Sequence, residues 1–217
     1  MRANAPILMF AAVLCIILIA GCAPTQSTPA QPPDYQTIAK DAHHDSDAAA
    51  QKNEMALTQL DKGDLDAAEQ TARQALSADV TFGPAHNTLG MIYYRQSQLY
   101  LAAWEFQYAI KLMPHQPQAH GNLGLTYEAG QKWDQAIDAY DEALKLAPDN
   151  EPIIANLVRA RLRRGDRGDD IRQLLERVLS KDDRPEWVQW AREQLGRLRS
   201  PATEPAGFSH FRLDFTC

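Results

Sequence analysis

Ala85-His86-Asn87-Thr88-Leu89-Gly90 and Ala119-His120-Gly121-Asn122-Leu123-Gly124 are two versions of one six-residue phrase, set 34 residues apart. The register holds on both sides: Tyr93 matches Tyr127, Ala102 matches Ala136, Phe106 matches Tyr140, Ala109 matches Ala143, and Pro114 matches Pro148. A period of this length is one supersecondary unit repeated, here a pair of helices. Gly90 and Gly124 let a second helix lie close to the first. Ala102, Ala109, Ala136 and Ala143 are small where helices cross, and Leu89, Tyr93, Leu123 and Tyr127 fill the space between. Pro114 and Pro148 lack an N–H and stop the second helix. One such pair cannot bury its apolar face alone, whereas about three stacked pairs can.

The pattern resembles the tetratricopeptide repeat (TPR). That family places a bulky residue at repeat position 4, Leu at 7, Gly at 8, Tyr at 11, Ala at 20, an aromatic at 24, Ala at 27 and Pro at 32. Residues 83–116 and 117–150 follow it except at position 4, where His86 and His120 replace the usual Trp. One period earlier, 49–82 keeps Met55, Ala56, Gly63, Ala68, Ala72 and Ala75 in register. One period later, 151–184 keeps Ile154, Leu157 and Gly165, but Val158 takes the glycine position and Asp170 falls on the small-residue position 20, which opens the second helix to a change of register. Atypical terminal repeats are expected, because their outer faces meet solvent. Residues 185–198, with Trp187, Trp190, Ala191, Leu195 and Leu198, read as a capping helix. The resemblance implies an all-α TPR α-solenoid of four helix-turn-helix repeats plus this cap, coiled as a right-handed superhelix, with 199–217 as a flexible tail.

In the family, the first helix of each pair lines a concave groove through positions 2, 5, 9, 12 and 13. Carried onto this chain, the partner-binding residues are Asn53, Leu57, Asn87, Met91, Tyr94, Arg95, Gln118, Leu125, Glu128, Arg159 and Arg163. Their mix of apolar, amide and charged groups suits a protein or peptide ligand. The carboxylate clamp of chaperone-binding repeat domains needs Lys and Arg, where this chain has Asn53, Leu57, Thr88, Gln118 and Asn122. A chaperone-tail adaptor is therefore disfavoured.

The N-terminus reads as an address. Arg2 precedes an apolar run from Ile7 to Ala20, too short for a membrane-spanning helix, which needs about 20 apolar residues. A basic start, a short apolar core and small residues at its end describe a secretory signal peptide. Leu18-Ile19-Ala20-Gly21-Cys22 closely resembles the lipobox of bacterial lipoproteins. That implies cleavage after residue 21 and acyl chains on Cys22, which together anchor stably. Ala23 follows, without the Asp that favours inner-membrane retention in enterobacteria-like systems, so the expected location is the cell envelope, on the outer membrane facing the periplasm. Residues 22–47, with Pro24, Pro29, Pro32 and Pro33, form a tether.

The chain carries 22 Lys and Arg against 28 Asp and Glu, a formal net charge of −6, which disfavours nucleic acid. Its hydrophobic share of 45% is enough for a packed core. Cys15, Cys22 and Cys217 have neither metal-ligand spacing nor the look of a disulfide framework. His43-His44-Asp45 lacks a further ligand at a recognisable offset and reads as the solvated start of the first helix. No nucleophile with its base, phosphate loop or zinc motif occurs, so the expectation is no enzyme and no cofactor beyond the lipid on Cys22. Arg159, Arg161, Arg163, Arg164, Arg167, Arg172 and Arg177 make the fourth repeat basic, either as a solvated face or as a surface for an acidic partner or anionic headgroups. Phe208, Phe211, Leu213 and Phe215 enrich the tail, which is either an unstructured end or a docking peptide, for another protein or for the chain's own groove. Together these readings describe an envelope scaffold. The layout resembles type IV pilus and secretin assembly lipoproteins (pilotins) and, as an alternative, adaptors of peptidoglycan hydrolases; a metal-handling accessory protein using His43 and His44 is the more distant reading.

Overall fold

The computed structural model describes residues 44–199. The signal segment, Cys22, most of the tether, His43 and the tail 200–217 lie outside the described residues. Within them are nine α-helices and no strand: α1 (Ser46–Asp61), α2 (Leu65–Ala78), α3 (Gly83–Arg95), α4 (Leu99–Leu112), α5 (Pro117–Ala129), α6 (Trp133–Leu146), α7 (Glu151–Arg164), α8 (Asp169–Lys181) and α9 (Pro185–Arg199). This is the all-α fold expected from the resemblance. The first helix starts earlier than the repeat frame suggests, because the Asp45 carboxylate caps it by accepting from the Ala48 N–H. Asp64 and Asn150 cap α2 and α7 in the same way. Pro84, Pro117 and Pro152 sit in the first turns of α3, α5 and α7, where the missing N–H has no helical partner to lose.

Each hairpin turns at one repeat position, and all four residues there are left-handed: Gly63 (φ 81°), Ser97 (φ 61°), Gln131 (φ 57°) and Gly165 (φ 115°). The next amide reaches back to close the turn, as Gln98 N–H does to the Tyr93 carbonyl and Lys132 N–H to that of Tyr127. The first three turns are three residues long, and the fourth, residues 165–168, is four. That extra residue resolves the misfit at Asp170. It advances α8 by one place, so that Ile171, Leu175 and Val178 are the buried residues and Asp170 is exposed.

The helices pack first within hairpins, α1 on α2, α3 on α4 and α5 on α6, and then serially, α2 on α3, α4 on α5 and α6 on α7. The first helices α1, α3, α5 and α7 also touch in succession, while the second helices make no comparable contact. The first-helix side is therefore the inner side of the stack. Apolar packing is continuous along it, from Leu76, Leu89, Ile92 and Phe106 through Leu125, Tyr140, Ile153 and Leu157 to Val158, Ile171, Trp187 and Trp190. Burying each such side chain contributes about 1.5–3 kcal/mol.

The two frame glycines are covered by side chains, not by helix backbone. A Cβ on Gly90 would lie 2.7 Å from the Phe106 ring, and one on Gly124 would run into the Tyr140 ring. The glycine and the aromatic of each internal repeat are thus one packing unit. The first repeat confirms the coupling, with Ala56 and Ala72 at those two positions, both fully buried.

Candidate interaction face

The residues assigned to the groove all lie on first helices, but they divide by burial. Leu57, Asn87, Tyr94 and Gln118 are half-buried, and Arg95 and Arg163 are exposed. Asn53, Met91, Leu125, Glu128 and Arg159 are buried. Met91 and Leu125 are spent on packing, because successive first helices approach closely enough to cover them. The face open to a ligand is accordingly narrower than the sequence pattern suggests.

Glu128 and Arg159 are taken up by each other. Arg159 Nε and Nη2 donate to Glu128 Oε1 and Oε2 at 2.5 and 2.8 Å, with side chains only 4% and 7% exposed. The Tyr140 hydroxyl donates to Glu128 Oε2 at 2.9 Å. The Arg159 guanidinium lies 4.9 Å from the Trp187 ring centroid, and Arg184 lies 5.0 Å from the same ring. One buried charge pair therefore joins α5, α6, α7 and the capping helix α9. Burial and the negative Glu128 carboxylate push the Tyr140 phenol well up, and push Tyr94 up to about 12, with the Arg159 charge opposing in both cases. Burial also lowers the Arg163 guanidinium, as does the like charge of Arg159, while Glu128 opposes. Sequence reasoning placed Glu128 and Arg159 on this side but missed their pairing, together with the parts of Tyr140 and Trp187. The available signal was opposite charges at inner-helix positions of adjacent repeats.

Asn122 Nδ2 donates to Asn87 Oδ1 at 3.2 Å, linking α3 and α5 through a pair of amides. Asn53 Oδ1, Gln118 Oε1 and Arg159 Nη1 are buried without a hydrogen-bond partner. Of the clamp-equivalent positions, Thr88 is buried with its hydroxyl donated to the Pro84 carbonyl, and Asn122 is buried.

The remaining sequence candidates are structural. His86 is fully buried, with Nδ1 2.7 Å from Glu105 Oε2 and Nε2 2.9 Å from the Val80 carbonyl. His120 is half-buried. Burial lowers its pKa, opposed by a hydrogen bond to the Pro114 carbonyl and the charge of Glu142. His44 Nδ1 donates to Asp79 at 2.9 Å, and the hydroxyls of Ser46 and Thr81 and the Thr81 amide also donate to that carboxylate. No cluster of three or more His, Cys, Asp or Glu suited to a metal ion occurs among the described residues. The arginines of the fourth repeat are largely paired within the domain. Arg161 binds Asp166 and Asp170, Arg164 binds Asp134 and Asp166, Arg172 binds Asp169, and Arg177 binds Asp149 and Glu151. Their charge goes into fixing turns and hairpin ends.

Residues 53–112 and 117–150 each match a tetratricopeptide-repeat family model. These hairpins are tetratricopeptide repeats. The TPR domain is 29% identical over 108 residues to the chloroplast TPR domain-containing protein PYG7 of Arabidopsis thaliana, a match covering 48% of this chain and 36% of the relative. The chain thus spans about a third of that protein's length. Among solved structures, the first TPR domain of Spaghetti (RPAP3), bound to the HSP90 peptide SRMEEVD, superposes with a TM-score of 0.55 at 22% identity, over 57% of this chain and 98% of that one. The APC/C hetero-tetramer Cut9-Hcn1 superposes with a TM-score of 0.63 at 18% identity, over 70% of this chain and 30% of that one. These structural likenesses speak to fold.

Proposed function

We propose that this protein is a lipid-anchored periplasmic TPR scaffold that holds a partner protein along its inner side, in envelope assembly of the type IV pilus or secretin kind. The observation that carries the binding reading is the make-up of the inner side. Half-buried Leu57 and Tyr94 offer apolar contact, half-buried Asn87 and Gln118 offer amides, and exposed Arg95 and Arg163 carry charge. A bound peptide main chain supplies donors and acceptors that suit such amides. The peptide-bound RPAP3 domain supports the mode of binding. The missing Lys and Arg of the carboxylate clamp point away from an HSP90-type acidic tail. The lipobox supports the anchor, and the anchor supports the envelope setting.

Affinity purification from membranes, with the lipidated chain as bait, tests the binding. Arg95→Glu with Arg163→Glu, both at exposed positions, is expected to cut recovery of the bound protein at least tenfold with the circular dichroism spectrum unchanged; equal recovery would refute binding at this side. Deleting the gene tests the setting: loss of secretin multimers from the outer membrane is expected. Altered cell-wall turnover with secretin multimers intact would refute that setting and favour the hydrolase-adaptor alternative. A metal-handling role has less support, since His44 is committed to Asp79.

A further inference from the structure

Helix α4, the end of α5 and the α5–α6 turn form a recess of about 210 Å³ walled by Leu99, Tyr100, Trp104 and Tyr127. No residue assigned to the inner side lines it. Tyr100 is 59% exposed, more than any other large apolar side chain among the described residues. The repeat frame does not call for aromatics here. The residues matching Tyr100 in the flanking repeats are Asp66 and Asp134, and those matching Trp104 are Gln70 and Asp138. Of these three repeats, only the second has an aromatic wall in place of solvated side chains.

The polar groups of the recess lean one way. No Asp or Glu is among its lining residues, and their one charged group is the Lys132 ammonium, 5.9 Å from the Tyr127 ring centroid. The Tyr127 hydroxyl accepts from Gln107 Nε2 at 2.8 Å, so it keeps its own proton to donate. Exposed Tyr100 carries a second hydroxyl, and exposed Gln135 an amide. The site thus offers aromatic faces edged with donors and no carboxylate. We propose that it binds a proline-rich segment of a partner protein in the polyproline II conformation. Proline has no N–H, so such a segment shows its surroundings only pyrrolidine rings and carbonyl acceptors. The rings fit against Tyr100 and Trp104, and the carbonyls accept hydrogen bonds from Tyr127 and Lys132. An ordinary extended peptide also brings an N–H at each residue and would find no carboxylate to receive it. Aromatic-lined grooves recur as docks for preformed polyproline II helices, whose ordering costs little entropy. This surface is separate from the inner side and does not depend on the partner proposed above.

The probe is fluorescein-labelled decaproline, titrated by fluorescence anisotropy against the full-length chain. Saturable binding is expected, with a glycine-serine decapeptide at least tenfold weaker. Tyr100→Asp, at an exposed position, should weaken decaproline binding at least tenfold with the circular dichroism spectrum unchanged. Tyr127→Phe, which keeps the ring and removes the donor, should weaken it at least threefold. Arg95→Glu with Arg163→Glu should leave it unaltered, because both arginines lie on the inner side. No saturable binding, equal affinity for the two peptides, an affinity indifferent to Tyr100→Asp, or loss of binding in the arginine variant would each overturn the proposal. So would a dimer in sedimentation that Tyr100→Asp dissolves, since a second copy would then fill the recess.

Discussion

Repeats 83–116 and 117–150 share a frame residue for residue, yet they bury different polar chemistry, and the difference sets the direction in which each is tied. In the earlier repeat the aromatic over the glycine is Phe106, which has no polar handle. Its buried pair, His86 with Glu105, lies within the repeat and reaches back to the Val80 carbonyl of the preceding turn. In the later repeat the aromatic is Tyr140, and Ala139 stands where the earlier one has Glu105. The Tyr140 hydroxyl finds Glu128, and Glu128 reaches forward to Arg159 of the next repeat and, through it, to Trp187 of the cap. A single hydroxyl and a single carboxylate thus turn a backward tie into a forward one. Equal periodicity does not make equal interfaces.

Breaking the forward tie should cost most. Glu128→Ala leaves the Arg159 guanidinium buried and uncompensated, and is expected to lower stability by about 3–5 kcal/mol in urea unfolding. Glu105→Ala should cost less, about 1–3 kcal/mol, because His86 keeps its hydrogen bond to the Val80 carbonyl whereas Arg159 loses both of its bonds. The reverse order would contradict the contrast drawn between the two repeats. Next comes the glycine–aromatic unit. Gly124→Ala should destabilise by about 1–3 kcal/mol through overpacking, and by more than Gly90→Ala. The Tyr140 ring is pinned by its hydroxyl to Glu128 and crowds Gly124 more closely than Phe106 crowds Gly90. Equal melting temperatures for the two variants would dissolve that distinction.

Smaller effects separate the internal repeats from the terminal ones. The left-handed turn residue is glycine at both ends, Gly63 and Gly165, but Ser97 and Gln131 in the middle. Ser97→Gly and Gln131→Gly are each expected to raise stability by about 0.5–1 kcal/mol, the relief of side-chain strain being partly offset by chain entropy. Gly63→Ala should lower it. The smallest effect expected is an acid limb confined to the ends. Asp79 and Asp182 close the second helices of the terminal repeats, whereas Met113-Pro114 and Ala147-Pro148 close the internal ones. Burial alone would raise Asp79. Hydrogen bonds from His44, Ser46 and Thr81 outweigh it and hold the carboxyl well below its ordinary 3.8. Arg184 does the same for Asp182. A lowered carboxyl stabilises fully above its unfolded value and loses that contribution as pH falls below it. Stability from these groups should be flat from pH 7 to 5 and decline below about 4, with Asp79→Asn flattening the decline. An unchanged acid limb in that variant would place the loss elsewhere.

The sequence alone determined the frame: the 34-residue period, the paired helices, the need for no side chain at Gly90 and Gly124, and the stops at Pro114 and Pro148; the inner placement of the first helices came from the family resemblance. The frame follows from partners a few turns apart in the chain, whose spacing a hairpin imposes. Tertiary structure alone decided which inner residues stay open, because the burial of Met91 and Leu125 depends on how closely one hairpin leans on the next, which no local rule sets. The misfit at Asp170 was legible, but its cure by a longer turn was not, since turn length answers to where α7 offers a groove for Ile171 and Leu175. The arginine-rich fourth repeat looked like a field aimed outward, and folding brought a carboxylate to most of its members, because pairing is settled by distance in space and not along the chain.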